Sequence, residues 1–395
     1  MVFSCVSLYL GTLRCCFLLI LFYKFVFLIT CITILTTIGI VFYIMFTETL
    51  TVFFAFLASY IAIITIKPLA IKVGLVDEPC SRKKHIGSIP LIGGVSIFAS
   101  VLISVLIFFP LDKPLVSYLV CAGAIVMLGV IDDYRQLGVK IRLCIQTLVA
   151  LVMMWGSDIY IHNLGDLFAT GDIDLAWIGI PFTIISVIAA INAFNMIDGI
   201  DGLAGSLSIS TLVSVFLLML FSGSFSITSL PLIIIATIVP YLAFNLGVKG
   251  HRNKKIFMGD AGSMFIGLSV VWFLMVCTQG ESIAFRPVTA LWIIAIPLMD
   301  MMAIIIRRLR KGQSPFMADR DHLHHVFMRI GFSPRRALSV IIMFSMVMSG
   351  IGILGELLLI PDIIMLSFFV LVFIAYSACI QHCWRVARFL RRYKK

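Results

Sequence analysis

The chain has 395 residues, of which 61% are hydrophobic and only 12% charged. That mixture cannot cover a water-facing surface, so a soluble protein of two or three domains, the ordinary expectation for this length, is excluded. The net charge of +11 would suit nucleic acid, but a membrane-spanning chain also gathers Lys and Arg on its cytoplasmic side, so placement decides.

Apolar runs of about 17 to 25 residues, the length that crosses a bilayer as a helix, follow one another along the sequence. They do not alternate apolar with polar residues, which excludes a closed β-barrel. Residues 1–44 hold an additional apolar run with Arg14 and Lys24 as its only charges. It reads as an extra hydrophobic anchor, with a start at Met45 as the alternative, because it lacks the charged leader and cleavage site of a signal peptide. The body, 45–383, is expected to be an all-α transmembrane bundle. Its eleven expected spans are 47–66, 91–110, 115–131, 143–160, 177–194, 203–222, 227–246, 261–279, 287–306, 337–357 and 362–383. A basic cytoplasmic tail, 384–395, follows. The ten cysteines form no CxxC pair and mostly sit in apolar runs, where they serve as small hydrophobes.

The connection after the first of these spans carries DEPCSRKKHIGSIPLIGG. Gly93 and Gly94 suit close helix packing, and the cations suit topology. The same patch at a membrane surface would hold a lipid phosphate, which makes Lys84 and His85 candidate substrate contacts. The third span closes in GVIDDYRQLGVKIR. Asp132 and Asp133 diverge by about 100° on a helix, so one can face a metal or substrate and the other a neighbouring cation. Negative charge at a helix C-terminus is opposed by the macrodipole, which favours function over a solvated end. Arg142 of the same segment is a further candidate substrate contact.

In NAFNMIDGIDGL the polar residues Asn192, Asn195 and Asp198 recur every third position, and Asp201 continues the stripe. Such a stripe offers oxygen ligands to a hydrated cation or partners to phosphate. A plain turn explains Gly199 and Gly202 but not the polar groups in register. FMGDAGS puts Asp260 at the start of a span, where backbone N–H groups also favour phosphate; helix capping is the plain alternative. The longest connection, 307–336, carries four basic residues and then Arg320, His322, His324 and His325. Guanidinium and imidazole groups hold diphosphate oxygens well, and phosphate binding is favoured over zinc because no cysteine accompanies the histidines.

With the 67–90 loop placed in the cytoplasm, 26 Lys and Arg fall on that face and only Lys113 and Arg286 on the other. The positive-inside rule then fixes the orientation and accounts for the charge without nucleic acid. All the acidic motifs fall on the cytoplasmic face.

In order and wording these motifs, above all VGLVDEPCSRKKHIGSIPLIGG, NAFNMIDGIDGL, FMGDAGS and DRDHLHHVFMRIGFSPRRA, resemble the polyprenyl-phosphate N-acetylhexosamine-1-phosphate transferase family from about residue 45 to 383. The resemblance implies eleven spans, a cytoplasmic active site and Mg²⁺, with Mn²⁺ as a substitute. It implies that Asp260 binds the metal with Asn195 beside it, and that Phe257 stacks on uracil. It further implies that Asp132 and Asp133 position the lipid phosphate, that Asp198 and Asp201 serve the nucleotide, and that Arg320, His322, His324 and His325 grip the diphosphate and sugar. Asn245 matches an asparagine near the uracil, although the spacer GVKGHRNKKI after it is longer than in the phospho-MurNAc-pentapeptide branch.

The reaction so implied moves GlcNAc-1-phosphate from UDP-GlcNAc to undecaprenyl phosphate in the bacterial inner membrane, the first lipid-linked step of O-antigen or another surface polysaccharide. The expected partners are those two substrates, the bilayer and a second copy of the chain as a homodimer, with no nucleic acid. The alternatives are another UDP-N-acetylhexosamine or a phospho-MurNAc-pentapeptide donor, and, from a different class, a proton-coupled secondary transporter. Against the transporter stand the one-sided acidic motifs and the lack of an inverted repeat.

Overall fold

Each of the eleven spans expected between 47 and 383 contains a helix among the described residues, because backbone groups in lipid must be satisfied within their own segment. The computed structural model describes residues 46–78, 87–223, 227–248, 250–251, 254–280, 282–314 and 322–381. The expected anchor at 1–44, the tail at 384–395, and Lys84, His85 and Arg320 lie outside the described residues. The chain divides into two units, Met1–Thr51 and Val52–Lys395. Of the first, only the opening turns of helix α1 (Phe46–Val73) are described.

In the second unit a two-stranded antiparallel pair, β1 (Val76–Asp77) and β2 (Ile89–Pro90), leads into α2 (Gly93–Phe108), α3 (Lys113–Arg135) and α4 (Val139–Ser157). A 3₁₀ turn at Ala176–Ile178 opens α5 (Gly179–Ile197), followed by α6 (Leu203–Ser222), α7 (Ser229–Asn245) and α8 (Gly259–Gln279). The remainder is α9 (Pro287–Ile293), α10 (Ala295–Arg310), the short α11 (Leu323–Ile330), α12 (Pro334–Leu357) and α13 (Asp362–Gln381). Among the described residues eight helices are long and apolar enough to cross a membrane, or nine if the bent pair α9–α10 is one span. Helices α2 and α7, at 16 and 17 residues, are shorter apolar helices, so eight or nine of the eleven expected spans reach crossing length.

Helix α8 is apolar on all sides, and every residue from Ala261 to Met275 is buried, as a helix surrounded by others requires. It packs against α2, α3 and α5. Glycine makes this possible. A Cβ on Gly94 would lie 2.1 Å from the backbone nitrogen of Gly262, and one on Gly129 would lie 2.2 Å from Cα of Ala261. The glycines read from sequence as packing residues at Gly94 do pack, backbone against backbone. Around this centre the outer helices turn large apolar side chains outward, and Trp155 and Trp177 are among the most exposed.

The run 287–306 was expected as one span, but it is broken at Ile294, where α9 and α10 meet at 81°. Pro297 supplies the reason. It lacks an N–H, and its ring crowds the carbonyl of Ile293, so the helix cannot run through. The Ser349 hydroxyl, at 3.5 Å, turns to that carbonyl instead.

Candidate active site

Segments far apart in sequence meet in a cavity of roughly 800 Å³, lined from residues 74–78, the end of α3, the α5–α6 connection, α7 and the start of α8. Seven carboxylates line it (Asp77, Glu78, Asp132, Asp133, Asp198, Asp201 and Asp260), and among the described residues no Lys, Arg or His does. The floor is stitched by backbone bonds. Phe257 donates its N–H to Pro90 O at 2.9 Å, and Gly93 and Gly94, at the start of α2, donate theirs to Phe257 O and Met258 O, both at 2.9 Å.

Asp132 and Asp133 diverge, as their neighbouring positions on a helix predict. Asp132 is buried, paired with Arg142 at 2.9 Å, and accepts the Leu137 N–H at 2.7 Å. Arg142 thus faces Asp132 rather than standing alone for a substrate. Asp133 accepts the N–H groups of Asp260 at 2.9 Å and Ala261 at 3.4 Å. The start of α8 was expected to offer those N–H groups to phosphate; Asp133 already occupies them, because a carboxylate is favoured where orphan donors and the positive end of the helix coincide. Gly259 is required for this approach. Its φ is +70°, and a Cβ there would meet Asp133 Oδ2 at 2.4 Å.

Asp260 is held from the opposite side. Asn195 donates its Nδ2 to Asp260 Oδ1 at 2.8 Å and to Ser263 Oγ at 3.0 Å, so α5 sets the rotamer of the α8 carboxylate. Asp198, three residues further, lies half-buried in the α5–α6 connection. Burial, reinforced by the charges of Asp260 and Asp201, pushes its carboxyl up to about 7. Asp201 is exposed and paired with Lys255 at 2.6 Å, and the same ammonium lies 5.1 Å above the ring of Phe257. Asn245 is consumed by structure. Its Oδ1 accepts the N–H of Gly202, a left-handed glycine at φ +78°, at 2.6 Å, and its Nδ2 donates to Ile256 O at 2.9 Å, which ties the α5–α6 connection to the loop before α8. Asn192 does not join the cavity lining; its amide donates to Gln146 Oε1 at 2.8 Å.

The histidines stand beside this cavity. His324 is 1% exposed, and neither ring nitrogen has a hydrogen-bond partner among the described residues. Its ring lies against Gly199, which lines the cavity. Burial, and then the neighbouring rings of His325 and His322, push it down to about 3. It is therefore neutral at physiological pH, and the charge-assisted grip expected of imidazolium does not extend to it. His322 is bonded through Nδ1 to Asp300, a residue that no sequence motif singled out.

Among the described residues no three His, Cys, Asp or Glu side chains converge closely enough to form an all-protein metal cage. The donor set nevertheless fits a hard, hydrated cation. Mg²⁺ takes one or two carboxylates and fills its remaining positions with water and substrate phosphate, and Asp260, with Asp133 and Asp198 also in the lining while Asp132 and Asp201 are paired with Arg142 and Lys255, is a set of that kind.

A sequence profile described as glycosyl transferase family 4 matches residues 115–278, which include Asp132, Asp133, Asp198, Asp201 and Asp260. The undecaprenyl-phosphate alpha-N-acetylglucosaminyl 1-phosphate transferase of Yersinia pestis is 46% identical over 343 residues, covering 87% of this chain and 94% of that protein. The protein of the same description from Escherichia coli strain K12 is 44% identical, over 86% of this chain and 93% of its own. That from Haemophilus influenzae is 42% identical over 88% and 98%. Identity at that level, over 86% to 88% of the chain, makes the chain a member of glycosyl transferase family 4.

Proposed function

We propose that the chain transfers GlcNAc-1-phosphate from UDP-GlcNAc to undecaprenyl phosphate, giving undecaprenyl diphosphate-GlcNAc and UMP, on the cytoplasmic face of a bacterial inner membrane. The product would serve a surface polysaccharide such as O-antigen. The observation that carries this reading is the cavity of seven carboxylates at loops the positive-inside rule places in the cytoplasm, in a chain so similar to transferases of that name.

An oxygen of the lipid phosphate attacks the sugar-linked phosphorus, the bond from that phosphorus to the bridging oxygen breaks, and UMP leaves. Phosphoryl transfer of this kind needs position and charge neutralisation more than covalent help from the protein. A phosphomonoester loses its second proton at about pH 6, so the acceptor is already largely dianionic. That favours positioning over base catalysis for Asp132 and Asp133, both of which are anchored by protein donors. Mg²⁺, held by Asp260 with Asn195 fixing the carboxylate, would supply the positive charge against the diphosphate. Asp198, whose carboxyl is pushed up to about 7 by burial and by the charges of Asp260 and Asp201, would lose its proton more readily with positive charge beside it. Phe257 lines the cavity, with Lys255 over its ring, and is the aromatic that would stack on uracil. An apolar groove of roughly 510 Å³ along α5, α8 and the α9–α10 break, including Phe182, Ile185 and Leu298, supports a prenyl chain as acceptor.

The test is release of UMP by the purified full chain from UDP-GlcNAc and undecaprenyl phosphate. Activity should vanish in EDTA and return with Mg²⁺, and Asp260→Ala should abolish it. Metal-independent turnover would overturn the metal assignment, and turnover with another UDP-sugar alone would overturn the donor.

A further inference from the structure

Asp300 is an ionisable residue in the second turn of α10, and it is 1% exposed. A buried carboxylate persists only where donors replace its water, and three do. Oδ1 accepts the Leu323 N–H at 3.0 Å and the Tyr376 hydroxyl at 2.8 Å; Oδ2 meets Nδ1 of His322 at 2.8 Å. One carboxylate thus joins α10, the start of α11 and α13.

The two oxygens divide the work. Oδ1 latches α11 and α13, while Oδ2 acts on the imidazole. A carboxylate oxygen only accepts, so Nδ1 carries the proton and Nε2, on the far side of the ring, is the atom left for chemistry. Nε2 makes no hydrogen bond to another described residue. The ring of His322 lies parallel to that of His324, with centroids 5.8 Å apart, and His324 abuts Gly199 at the cavity. The imidazole is therefore a fixed ring beside the site rather than a side chain on a solvated basic loop.

We infer that Asp300 is a positioning residue for His322: its Oδ2 holds the ring as the Nδ1–H form and presents Nε2 to the diphosphate of the bound nucleotide sugar. This rests on the transfer reading above. Asp300 touches no substrate itself; it acts through the histidine.

In Asp300→Asn the amide oxygen can keep the Leu323 and Tyr376 donors while the amide NH₂ meets Nδ1, which must then accept, so the proton moves to Nε2. The expected result is a fall in kcat of about 10- to 100-fold, the scale of outer partners that orient a working imidazole, with KM for UDP-GlcNAc held within about threefold. His322→Asn places an amide N–H where Nδ1–H stood, so it keeps the clasp and thermal stability but loses Nε2 and with it turnover. In the double variant the two losses do not multiply, because the second change removes an effect already gone. The assay is UMP release by full-length chain in detergent, with thermal unfolding of each variant measured alongside. Wild-type kcat in Asp300→Asn, wild-type kcat in His322→Asn, or losses that multiply would each overturn the inference. Should Asp300→Asn fail to fold, His322→Asn alone decides, since its clasp is intact. Failure of the reaction reading is seen separately, in a wild type that rejects UDP-GlcNAc; the variant ratios are then measured with the UDP-sugar it accepts.

Discussion

The ring of His324 rests on Gly199, so closely that a Cβ built on the glycine would stand 2.2 Å from Nε2. The contact joins the histidine motif after α10 to the acidic connection between α5 and α6, more than a hundred residues apart in sequence. The ring is buried and cannot swing away cheaply, so Gly199→Ala must displace one motif from the other. The variant should insert at wild-type levels and lose at least about tenfold in UMP release, since displacements near 1 Å cost that much or more in positioned reactions. Wild-type turnover would show that the two motifs need not touch.

Asp132 and Arg142 should show the opposite balance, in which stability suffers first. Arg142→Ala leaves a buried carboxylate that keeps the Leu137 N–H but has lost its cation. The expected destabilisation is on the order of 2 kcal/mol, because an uncompensated buried charge costs more than the pair gains. Asp132→Asn in the same background should recover most of the loss. Thermal unfolding in detergent reads both, and equal midpoints for wild type and Arg142→Ala would contradict the pairing.

How much of this was legible in sequence follows from which physical rule was at work. Lipid imposes one rule on every crossing segment, so hydropathy located the long apolar helices but not the short α11 inside the 307–336 connection, and the side-by-side aspartates diverged as helical geometry requires. The stripe through Asn192 was misleading because three residues advance a helix by about 300°, so an every-third pattern drifts by about 60° per step. Asn192 consequently faces Gln146 on α4 while Asn195 faces Asp260. The break at Ile294 had a signal in Pro297, an interior position of the expected span 287–306, but hydropathy alone reads straight through a proline because membrane helices tolerate one. Asp300 had a signal, a lone carboxylate in IPLMDMMAIII, and that signal outranked any loop motif by the cost of burying it. The structural use of Asn245 had none, since nothing local marks an amide that bridges two distant loops.

Packing at the centre of the bundle yields a sharper test than any charged residue. A Cβ at Gly129 would fall within 2.2 Å of Cα and 2.4 Å of N of Ala261, all backbone atoms with no side chain to rotate aside. Gly129→Ala should therefore push α3 away from α8 and carry Asp133 off the N–H groups of Asp260 and Ala261. Loss of both thermal stability and UMP release is expected, whereas Gly123→Ala, whose Cβ would meet only the Phe98 ring at 3.4 Å, should be tolerated. Similar behaviour of the two variants would refute the close approach.

Acid stability should report the burial of His324. Its folded pKa is pushed down to about 3, mainly by burial and then by His325 and His322, while the unfolded value stays near 6.5. Above pH 6.5 both states hold the ring neutral, and the histidine makes no difference between them. Between about 6.5 and 3 the unfolded chain binds a proton that the folded one refuses, so stability falls steadily as pH is lowered through that range. His324→Leu, near the same volume and unable to take a proton, should flatten the slope of the unfolding midpoint between pH 6.5 and 5 while abolishing turnover. If the slope is unchanged in the variant, the ring is protonated in the folded protein and lies in a wetter place than the contact with Gly199 allows.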